Sequence, residues 1–414
     1  MLTQLRVKNF RLLRDVTIDF DSVVTVLVGP NASGKSTVLE VLDFVSRCAE
    51  DGLEKAVAAH GGFDSIRTAG VTEPIVIGMR WNFGAGDLRS PLRGVSLEWE
   101  VALQVERGGV VEVCSERLAN DTDPKNPRIV VDTDDLLGRI VSPEVGKSAE
   151  VRLNSMSNRL AFEVLADPSR FPTLGHLRVL LKSTRVIGAL PTSPSWARSD
   201  VMTASPRDSV VLGPQQFIGR QGLGLANVLY TLFTDHADAW RDLDRDFRGE
   251  FRFVERMTFP AEMSGSKIAF AFEDSRFKGR KMFASEMSDG MVAYLCLLAT
   301  VHNPEQVGAL GLDEPDANLH PSALRRFLSA AQRPHPRGRR LIIVTHSNAL
   351  LDELDDPASS IRLVDSTKDG TVIRKLDAAA LDAWRKDFSL SDLRRTGLID
   401  ASNTAYWSEV AGEE

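Results

Sequence analysis

The residues with the clearest chemical potential form the stretch GPNASGKST, residues 29–37, which directly follows an apolar segment. Its spacing, G-x-x-x-x-G-K-[ST], lets small residues bring backbone N–H groups close to phosphate oxygens, with the positive end of the next helix facing the same anion. Lys35 is predicted to reach the β- and γ-phosphates, and the Ser36 hydroxyl is predicted to bind Mg²⁺. The other residues expected to line the phosphates are Asn31, Ala32, Ser33, Gly34 and Thr37. The alternative is a glycine-rich turn that binds nothing.

Two adjacent carboxylates, Asp313 and Glu314, follow a second apolar segment in LGLDEPDANLHP, residues 310–321. Charged groups at the end of a buried strand are costly unless they are paired or bind a metal. Beside a phosphate site, we expect Asp313 to bind Mg²⁺, directly or through water. We expect Glu314 to orient the attacking water or to act as its base. In isolation the same pair would be interpreted as a helix cap with surface charge.

A third apolar segment, LIIVTHS at residues 341–347, ends at His346. Three apolar strands thus end at chemically distinctive residues, and ligands in open α/β sheets bind at the carboxyl ends of the strands. His346 is therefore predicted to hydrogen-bond the γ-phosphate and to sense its presence. A purely structural histidine at the end of a strand is the alternative.

The sequence SEMSDGM, residues 285–291, opens the apolar stretch MVAYLCLLATVH. A Ser-x-Gly before a helix offers an anion a hydroxyl, free N–H groups and the helix dipole. One interpretation makes Ser288 or Asp289 a simple helix cap. The other makes Ser288 and Gly290 a signature that contacts the γ-phosphate held by a second subunit. The order along the chain favours the second, because signature, helix, Asp-Glu strand, helix and switch histidine follow one another as in ABC-type ATPases.

The elements that position these residues follow from apolar periodicity. Alternation predicts two short strands, then a strand at residues 23–28, and a helix at 35–48 after the glycine loop. Residues 71–115 are rich in Val, Ile and Trp and predict antiparallel strands. The last third predicts βα units and a parallel sheet, with helix 290–302, strand 307–312, helix 321–331, strand 341–345 and helix 347–354.

The composition is ordinary for a globular protein, with 43% hydrophobic and 26% charged residues over 414 positions. This length suffices for a large core and for two domains. No apolar run is long enough to span a bilayer, so no membrane partner is expected. Cys48, Cys114 and Cys296 lie far apart in no metal-ligand spacing, which favours a cytoplasmic location. The net charge of −7 does not exclude nucleic acid, because a local basic face is sufficient.

Together these motifs resemble the stand-alone bacterial ATPases of the SMC/RecF/OLD type, in the ABC superclass. The start KNFRLLRDVTIDF resembles the N-terminal hairpin of that group, and DEPDANLHP and VTHSNALLDEL resemble its Asp-Glu and switch motifs. Leu-His-Pro, residues 319–321, replaces the Leu-Asp of ABC transporters. Residues 316–320 are then expected near a dimer seam. The resemblance covers residues 1–80 and 215–400.

The resemblance implies an α/β fold, a split ABC-type (P-loop NTPase) head. This head has a mostly parallel core sheet, an antiparallel β lobe and a mixed α/β insertion. The implied domains are an N-terminal lobe at residues 1–105, an insertion at 106–210 and a C-terminal lobe at 211–414. The implied ligands are ATP and Mg²⁺. No Toprim nuclease is expected, because no acidic cluster after residue 347 has that character.

The resemblance also implies an ATPase that works as a nucleotide-gated homodimer or higher homo-oligomer. Glu314 and His346 would be its catalytic residues, and closure of the heads would control a separate effector protein, for example in antiphage defence or a toxin–antitoxin system. One alternative is a DNA-repair or recombination ATPase that acts directly on DNA. Another is a regulatory protein that uses ATP as a timer. A transport ATPase is a weaker third, because Leu-His-Pro speaks against it.

DNA as a partner depends on the resemblance and on two basic features. Arg67 in IRTAG resembles the Ile-Arg-x-Gly region of SMC heads and would approach nucleotide or DNA, unless it is a surface arginine. The cluster RPHPRGRR, residues 333–340, is interpreted either as a solvated turn or as a contact to a phosphate backbone. The glutamine that links metal to the lobe joint stays unassigned, since the candidates are all poorly placed: Gln104, Gln215 and Gln216.

Overall fold

The described part of the chain alternates helices and strands in its last third and contains mainly strands between residues 75 and 153. The computed structural model describes residues 1–84, 94–105, 109–121, 128–134, 138–142, 150–153, 158–165, 167–188, 190, 205–213, 217–260, 267–277, 280–317, 319–333, 335, 338–368, 370–378, 381, 389–390 and 392. Its strands are β1 (Leu2–Phe10), β2 (Leu13–Asp19), β3 (Val24–Val28), β4 (Ile75–Asn82), β5 (Ser96–Val105), β6 (Val111–Asp121), β7 (Arg128–Asp134), β8 (Gly138–Val141), β9 (Val151–Leu153), β10 (Arg185–Ile187), β11 (Val210–Val211), β12 (Val254–Thr258), β13 (Lys267–Ile268), β14 (Ala271–Asp274), β15 (Lys281–Phe283), β16 (Ala309–Asp313), β17 (Arg340–Val344), β18 (Ile361–Thr367) and β19 (Gly370–Lys375). Its α-helices are α1 (Lys35–Asp51), α2 (Leu53–Ala59), α3 (Phe63–Ile66), α4 (Ala161–Val164), α5 (Pro172–Ser183), α6 (Leu225–Asp235), α7 (Ala237–Glu250), α8 (Asp289–Val301), α9 (Pro321–Gln332), α10 (Asn348–Asp352) and α11 (Pro357–Ser360).

The three apolar segments that carry the motifs form adjacent parallel strands. Among the described strands, the central sheet has the order β10-β16-β17-β3-β18-β19, with only β19 antiparallel to its neighbour. β16 ends at Asp313, β17 ends two residues before His346, and β3 ends directly before the glycine loop. The carboxyl ends of all three strands therefore meet at one edge of the sheet, as the sequence predicted.

The central sheet separates two apolar cores. Successive side chains of a strand point to opposite faces. Val26 accordingly packs in the core that contains α6, α8 and α9, whereas its neighbour Leu27 packs in the core that contains α1 and the antiparallel strands. Ile343 and Val344 divide between the same two cores. Strands buried on both faces read as continuous apolar runs, which is why the sequence shows them so clearly.

A second sheet covers the α1 side of the molecule. Its described strands are antiparallel in the order β2-β1-β4-β5-β6-β7-β8-β9. The predicted α/β fold, with a mostly parallel core sheet and an antiparallel β lobe, is confirmed. The boundary between residues 105 and 106 stays a prediction, although β5 and β6 on either side of it are paired in this one sheet. Within the described residues, no helix is both long and apolar enough to cross a membrane.

The Leu-His-Pro sequence starts helix α9. His320 is the N-cap residue, and its Nδ1 accepts a hydrogen bond from the Ser322 N–H at 3.3 Å. Pro321 occupies the first helical position, where its fixed φ suits the helix and its missing N–H costs nothing. The Leu-His-Pro sequence after the paired carboxylates is therefore explained by its role in starting α9.

Two buried arginines join the central sheet to the chain around β1 and β2. The Arg362 side chain on β18 is 1% exposed, and it donates twice to the Asp19 main-chain oxygen, at 2.7 and 3.1 Å, and once to the Asp21 carboxylate at 2.8 Å. Arg340 on β17 donates to the Leu2 main-chain oxygen at 2.9 Å. Burial lowers the pKa of Arg340 to about 10, so the guanidinium stays charged at neutral pH.

Both interpretations of the basic cluster at residues 333–340 were wrong for Arg339 and Arg340, which are buried. Arg339 is 2% exposed and donates to main-chain oxygens at the ends of α8 and α9. Arg333 pairs with the Asp246 carboxylate at 2.8 and 3.1 Å, and Arg340 is buried as described above. Arginine can be buried in this way because main-chain and carboxylate oxygens fill its donor groups. Arg337 lies outside the described residues.

We expect Arg362→Met to lower the free energy of unfolding by about 3 kcal/mol. The reason is that the change leaves buried main-chain acceptors unpaired, at about 1–3 kcal/mol each. Urea denaturation followed by circular dichroism measures the effect. Arg241→Met is the matched control, because Arg241 is 73% exposed and its ion pair within the described residues is with Asp238, which is 92% exposed. Such a surface pair is worth less than about 1 kcal/mol. Equal losses in the two variants would contradict a joining role for Arg362.

Candidate phosphate and catalytic site

The glycine loop between β3 and α1 is packed tightly against the β18–β19 hairpin. Ala32 and Gly34 have φ of +60° and +104°, in the left-handed region. A β-carbon at Gly34 would lie 2.4 Å from the Thr371 hydroxyl oxygen, and one at Gly29 would lie 1.9 Å from the Val364 main-chain oxygen. Only glycine fits at these two positions, so the hairpin fixes the path of the loop.

Thr371 on β19 supports the loop from behind. It is 6% exposed, and its hydroxyl donates to the Ser33 main-chain oxygen at 2.9 Å. Its own N–H donates to the Leu12 oxygen at 3.2 Å, which connects the loop to the β1–β2 hairpin as well. The sequence analysis missed Thr371, because a threonine in an alternating strand carries no motif.

Lys35 lies where the motif places it. The side chain is buried, and its ammonium donates to the main-chain oxygens of Gly29 at 2.9 Å and Pro30 at 2.6 Å. These bonds hold the Lys35 ammonium group at the opening of the loop. Of the other predicted loop residues, those exposed are Asn31, Ala32 and Ser36, and those buried are Ser33, Gly34 and Thr37.

Ser36 and Asp313 come together although they are far apart in the sequence. The Ser36 hydroxyl lies 3.4 Å from Asp313 Oδ1. Burial raises the pKa of the Asp313 carboxyl above its ordinary range, while the hydrogen bond from Ser36 and the charges of Lys35 and His346 act in the opposite direction. The carboxylate is therefore only partly compensated by its protein neighbours, as expected of a group that awaits a cation.

The residues present fit Mg²⁺ bound together with phosphates. Mg²⁺ prefers hard oxygen ligands and usually takes one or two from the protein and the rest from phosphates and water. The Ser36 hydroxyl and the Asp313 carboxylate supply such oxygens side by side. In the described ranges, no group of three or more His, Cys, Asp or Glu side chains could hold a metal ion.

Glu314 and His346 are also brought together. Glu314 has φ of +47°, which a non-glycine residue rarely adopts. Its N–H donates to the Val344 oxygen at 2.9 Å, and its carboxylate accepts from the His346 N–H at 3.1 Å. His346 Nε2 lies 3.6 Å from the other carboxylate oxygen. The side chains are 37% and 42% exposed, so both groups remain accessible to a ligand.

A second contact ties the loop after β16 to the end of β17. Asp316 Oδ1 accepts a hydrogen bond from the Thr345 hydroxyl at 2.6 Å, and that hydroxyl accepts from the Ser347 N–H at 2.9 Å. Asp316 thus helps to position the segment that carries His346. Its predicted place near a dimer seam stays a prediction.

The turn that carries Ser288 begins α8. Ser288 is the N-cap residue, and its hydroxyl oxygen accepts a hydrogen bond from the Met291 N–H at 3.3 Å. Asp289 instead forms an ion pair with Arg207 at 2.6 Å. Ser288 is exposed, and within the described residues neither it nor Gly290 forms a hydrogen bond or ion pair with the glycine loop of the same chain. The capping interpretation is correct for Ser288, and the phosphate interpretation stays a prediction.

The remaining described candidates, Arg67 and Gln104, form no hydrogen bond or ion pair with the site residues within the described part of the chain. Arg67 donates to Asp64 at 2.9 Å and lies 5.5 Å from the centre of the Phe63 ring, with its side chain 29% exposed. Gln104 is exposed on β5 in the antiparallel sheet. Gln215 and Gln216 lie outside the described residues. The glutamine expected to link metal and lobes is therefore still unassigned.

Two family models match the sequence. The model described as AAA domain, putative AbiEii toxin, Type IV TA system matches residues 222–352, which include Ser288, Asp313, Glu314 and His346. The model described as AAA ATPase domain matches residues 1–82, which include the glycine loop. No curated protein matches the sequence.

Solved structures of SMC heads are similar to the chain. The crystal structure of the SmcHead bound to the C-winged helix domain of ScpA superposes with a TM-score of 0.53 at 13% identity, over 92% of this chain and 99% of that chain. The Smc head domain with an extended coiled coil from Pyrococcus furiosus, bound to the C-terminal domain of ScpA, has a TM-score of 0.49 at 13% identity, over 93% and 98%. The SMC head domain from Thermotoga maritima has a TM-score of 0.42 at 13% identity, over 91% and 99%.

The sequence matches and the similarity of the fold concern the same residues. The two segments that match AAA ATPase models contain the glycine loop and the Asp-Glu and histidine positions that the central sheet brings to one edge. The match to the SmcHead structure shows that the fold around them is that of a P-loop head. The chain thus carries segments that match AAA ATPase family models on a fold similar to that of an SMC head.

Proposed function

We propose that the chain binds and hydrolyses ATP, closes head to head with a second copy when both hold ATP, and controls a separate effector protein through that closure. The observation that carries this proposal is the meeting of Ser36, Asp313, Glu314 and His346 at the carboxyl edge of three parallel strands. Ser288, the remaining predicted contact, is exposed to solvent and therefore accessible to a second copy.

Each group has a role that its position allows. The backbone N–H groups of the loop and the Lys35 ammonium would hold the β- and γ-phosphates. Bound Mg²⁺, held by Ser36 and Asp313, would neutralise phosphate oxygens. The Glu314 carboxylate would accept the proton of the attacking water, and the His346 N–H that it binds keeps it oriented. The strained backbone of Glu314 fits a functional position, since such strain persists only where the surroundings enforce it.

The second copy would supply what each head lacks. A helix N-terminus with an exposed serine is suited to bind a phosphate oxygen. If the γ-phosphate binds both its own loop and the Ser288 turn of a partner, ATP stabilises the closed dimer alone and shifts the equilibrium towards it. Hydrolysis removes the shared phosphate and reopens the pair. An effector that contacts only one of the two states would then follow the nucleotide.

The comparisons support a separate partner. The matched SmcHead structure contains a domain of another protein, ScpA, bound to the head. One matching family model carries the description putative AbiEii toxin, Type IV TA system. These descriptions favour an effector in a toxin–antitoxin or antiphage system for this chain. Direct action on DNA has less support than the sequence suggested, because Arg339 and Arg340 are buried and Arg67 is paired with Asp64.

We expect Glu314→Gln to abolish hydrolysis while preserving ATP binding. The amide cannot accept the proton, and the loss of a general base lowers the rate by about 10²- to 10⁴-fold. The uncleaved nucleotide should then trap the dimer, which light scattering detects as a doubled mass in the presence of Mg²⁺ and ATP.

Two controls accompany this test. Glu353→Gln removes a carboxylate that pairs with the exposed Arg325 and not with a residue of the site, and it should behave as wild type. Lys35→Ala should stay monomeric with ATP because it loses the phosphate contact. An ATP-bound Glu314→Gln protein that remains a monomer would refute nucleotide-gated dimerisation.

Mixing two inactive variants tests whether the site is shared between copies. Lys35→Ala lacks the phosphate contact but keeps its Ser288 turn, whereas Ser288→Arg blocks the turn but keeps its glycine loop. In a 1:1 mixture half of the random encounters between two copies bring the two variants together, and each such pair has one complete site of two in a two-fold arrangement. We therefore expect about a quarter of the wild-type ATPase rate, against near-zero rates for either variant alone. A mixture as inactive as its components would show that Ser288 does not act across the dimer.

We expect Asp313→Asn to stabilise the nucleotide-free protein at neutral pH while it abolishes Mg²⁺-dependent ATP binding. Because the folded-state pKa of Asp313 is raised, ionisation of the carboxylate disfavours folding as the pH rises above its ordinary unfolded-state pKa, and the full cost, which the amide removes, is present above the folded-state pKa. The gain in urea midpoint should be largest at neutral pH and should shrink as the pH falls towards 4. Asp238→Asn, at a side chain 92% exposed, should show no such gain. A lower midpoint for Asp313→Asn at neutral pH would contradict the prediction.

A further inference from the structure

Arg207 holds the turn that presents Ser288. Arg207 is 6% exposed, and its guanidinium donates to the main-chain oxygens of Ala284 at 2.5 Å and Met287 at 2.7 Å and to the Asp289 carboxylate at 2.6 Å. Met287 directly precedes Ser288, and Asp289 directly follows it. A single buried side chain therefore binds both neighbours of the exposed serine.

The arginine reaches this turn from a distant part of the chain. It is separated from its acceptors by 77 to 82 residues. Its own segment is a tight turn, in which the Ser205 N–H donates to Asp208 Oδ2 at 2.7 Å and the Asp208 N–H donates to the Ser205 oxygen at 3.1 Å. The Arg207 N–H donates to the Ser205 hydroxyl at 3.3 Å. Arg207 therefore lies on a turn that is stabilised by its own hydrogen bonds.

The chemistry of the contact requires arginine. A planar guanidinium presents several N–H donors in fixed directions, so it can bind two main-chain oxygens and a carboxylate at once. A lysine would keep the charge but would lose this geometry. The Asp289 side chain is 43% exposed, whereas the Arg207 side chain is 3% exposed. The carboxylate therefore lies at the surface end of the contact, next to Ser288, and the guanidinium lies beneath the turn.

We infer that Arg207 is a positioning residue for the shared nucleotide site. It fixes Ser288 and the first N–H groups of α8 in the orientation that meets the γ-phosphate on a partner copy, and it contacts no nucleotide itself. This inference rests on the proposed function. It also gives the last residues of the predicted insertion a role, because a displacement of residues 205–208 would release Met287 and Asp289 together. Binding of an effector to the insertion would then weaken the contact across the dimer.

A role in folding alone would have a different signature. A merely destabilised protein would lose ATP binding, dimerisation and stability together. A positioning role predicts instead that Arg207→Met binds Mg²⁺ and ATP within about twofold of wild type, because the glycine loop is untouched. Its ATPase rate should fall about 10²-fold, since a displacement of about 1 Å at a reacting group has effects of this size.

Mixing experiments in the full-length protein separate the two roles. With Lys35→Ala at 1:1, Arg207→Met should recover about a quarter of the wild-type rate, because the Lys35→Ala copy supplies an intact turn to the intact loop of the other. With Ser288→Arg at 1:1 it should recover nothing, because neither copy then has a working turn. Arg207→Lys should lie between Arg207→Met and wild type.

The control variants show whether a negative result contradicts the inference about Arg207 or the proposed shared site. Arg256→Met removes an arginine that is 68% exposed and pairs with Glu273 in the same part of the chain, and it should behave as wild type throughout. If Arg207→Met fails to fold, Asp289→Asn replaces it, because this variant keeps both main-chain acceptors and should give the same mixing pattern with a smaller loss.

Wild-type activity of Arg207→Met, or recovery with Ser288→Arg, would overturn the inference. If Ser288→Arg and Lys35→Ala complement each other but Arg207→Met does not complement Lys35→Ala, only the inference falls. If Ser288→Arg and Lys35→Ala fail to complement each other, the shared site itself falls and the inference with it.

Discussion

The parallel pairing of β3, β17 and β16 is the constraint on which the site depends. Because the three strands run in the same direction in register, their ends deliver the glycine loop, His346 and the Asp313–Glu314 pair to one edge. The bond from the Glu314 N–H to the Val344 oxygen continues this pairing one residue beyond β16. A one-residue slip in a strand would send its side chains to the opposite core. The two apolar cores therefore fix the register, and through it the positions of the polar groups.

The site accumulates local costs that the rest of the fold offsets. Glu314 has a strained backbone, Asp313 is a half-buried and partly compensated carboxylate, and the glycine loop leaves no room for a side chain at two positions. Contacts from distant elements hold these groups in their unfavourable positions, as the Thr371 hydroxyl does behind the glycine loop. Functional sites commonly sacrifice stability in this way, and a stabilising Asp313→Asn change would measure one such sacrifice directly.

The sequence predicted the parts of the structure that depend on short-range patterns. Buried parallel strands appear as apolar runs, and the phosphate motif and Pro321 follow rules that act within a few residues. The contacts of Thr371 and Arg207 were not predicted, because neither residue belongs to a motif. Thr371 contacts a residue 338 positions away in the sequence, and Arg207 contacts residues about 80 positions away. The basic cluster was misinterpreted for a related reason. A run of arginines near prolines is typical of a surface turn, and its burial depends on main-chain acceptors that only the folded chain brings near.

The two halves of the proposed shared site are ordered before they meet. Thr371 and the β18–β19 hairpin fix the glycine loop, and Arg207 fixes the Ser288 turn, without a direct bond between the two halves in the described chain. In the proposed dimer, association would therefore cost little conformational entropy at these loops, and the affinity between heads would depend mainly on the charge contacts that the γ-phosphate adds. A dimer built in this way responds sharply to a single phosphate group, because hydrolysis removes the contact that joins the halves and leaves each half folded. In the proposed dimer, the free energy of ATP hydrolysis would then appear as separation of the heads, which is the change that an effector could detect.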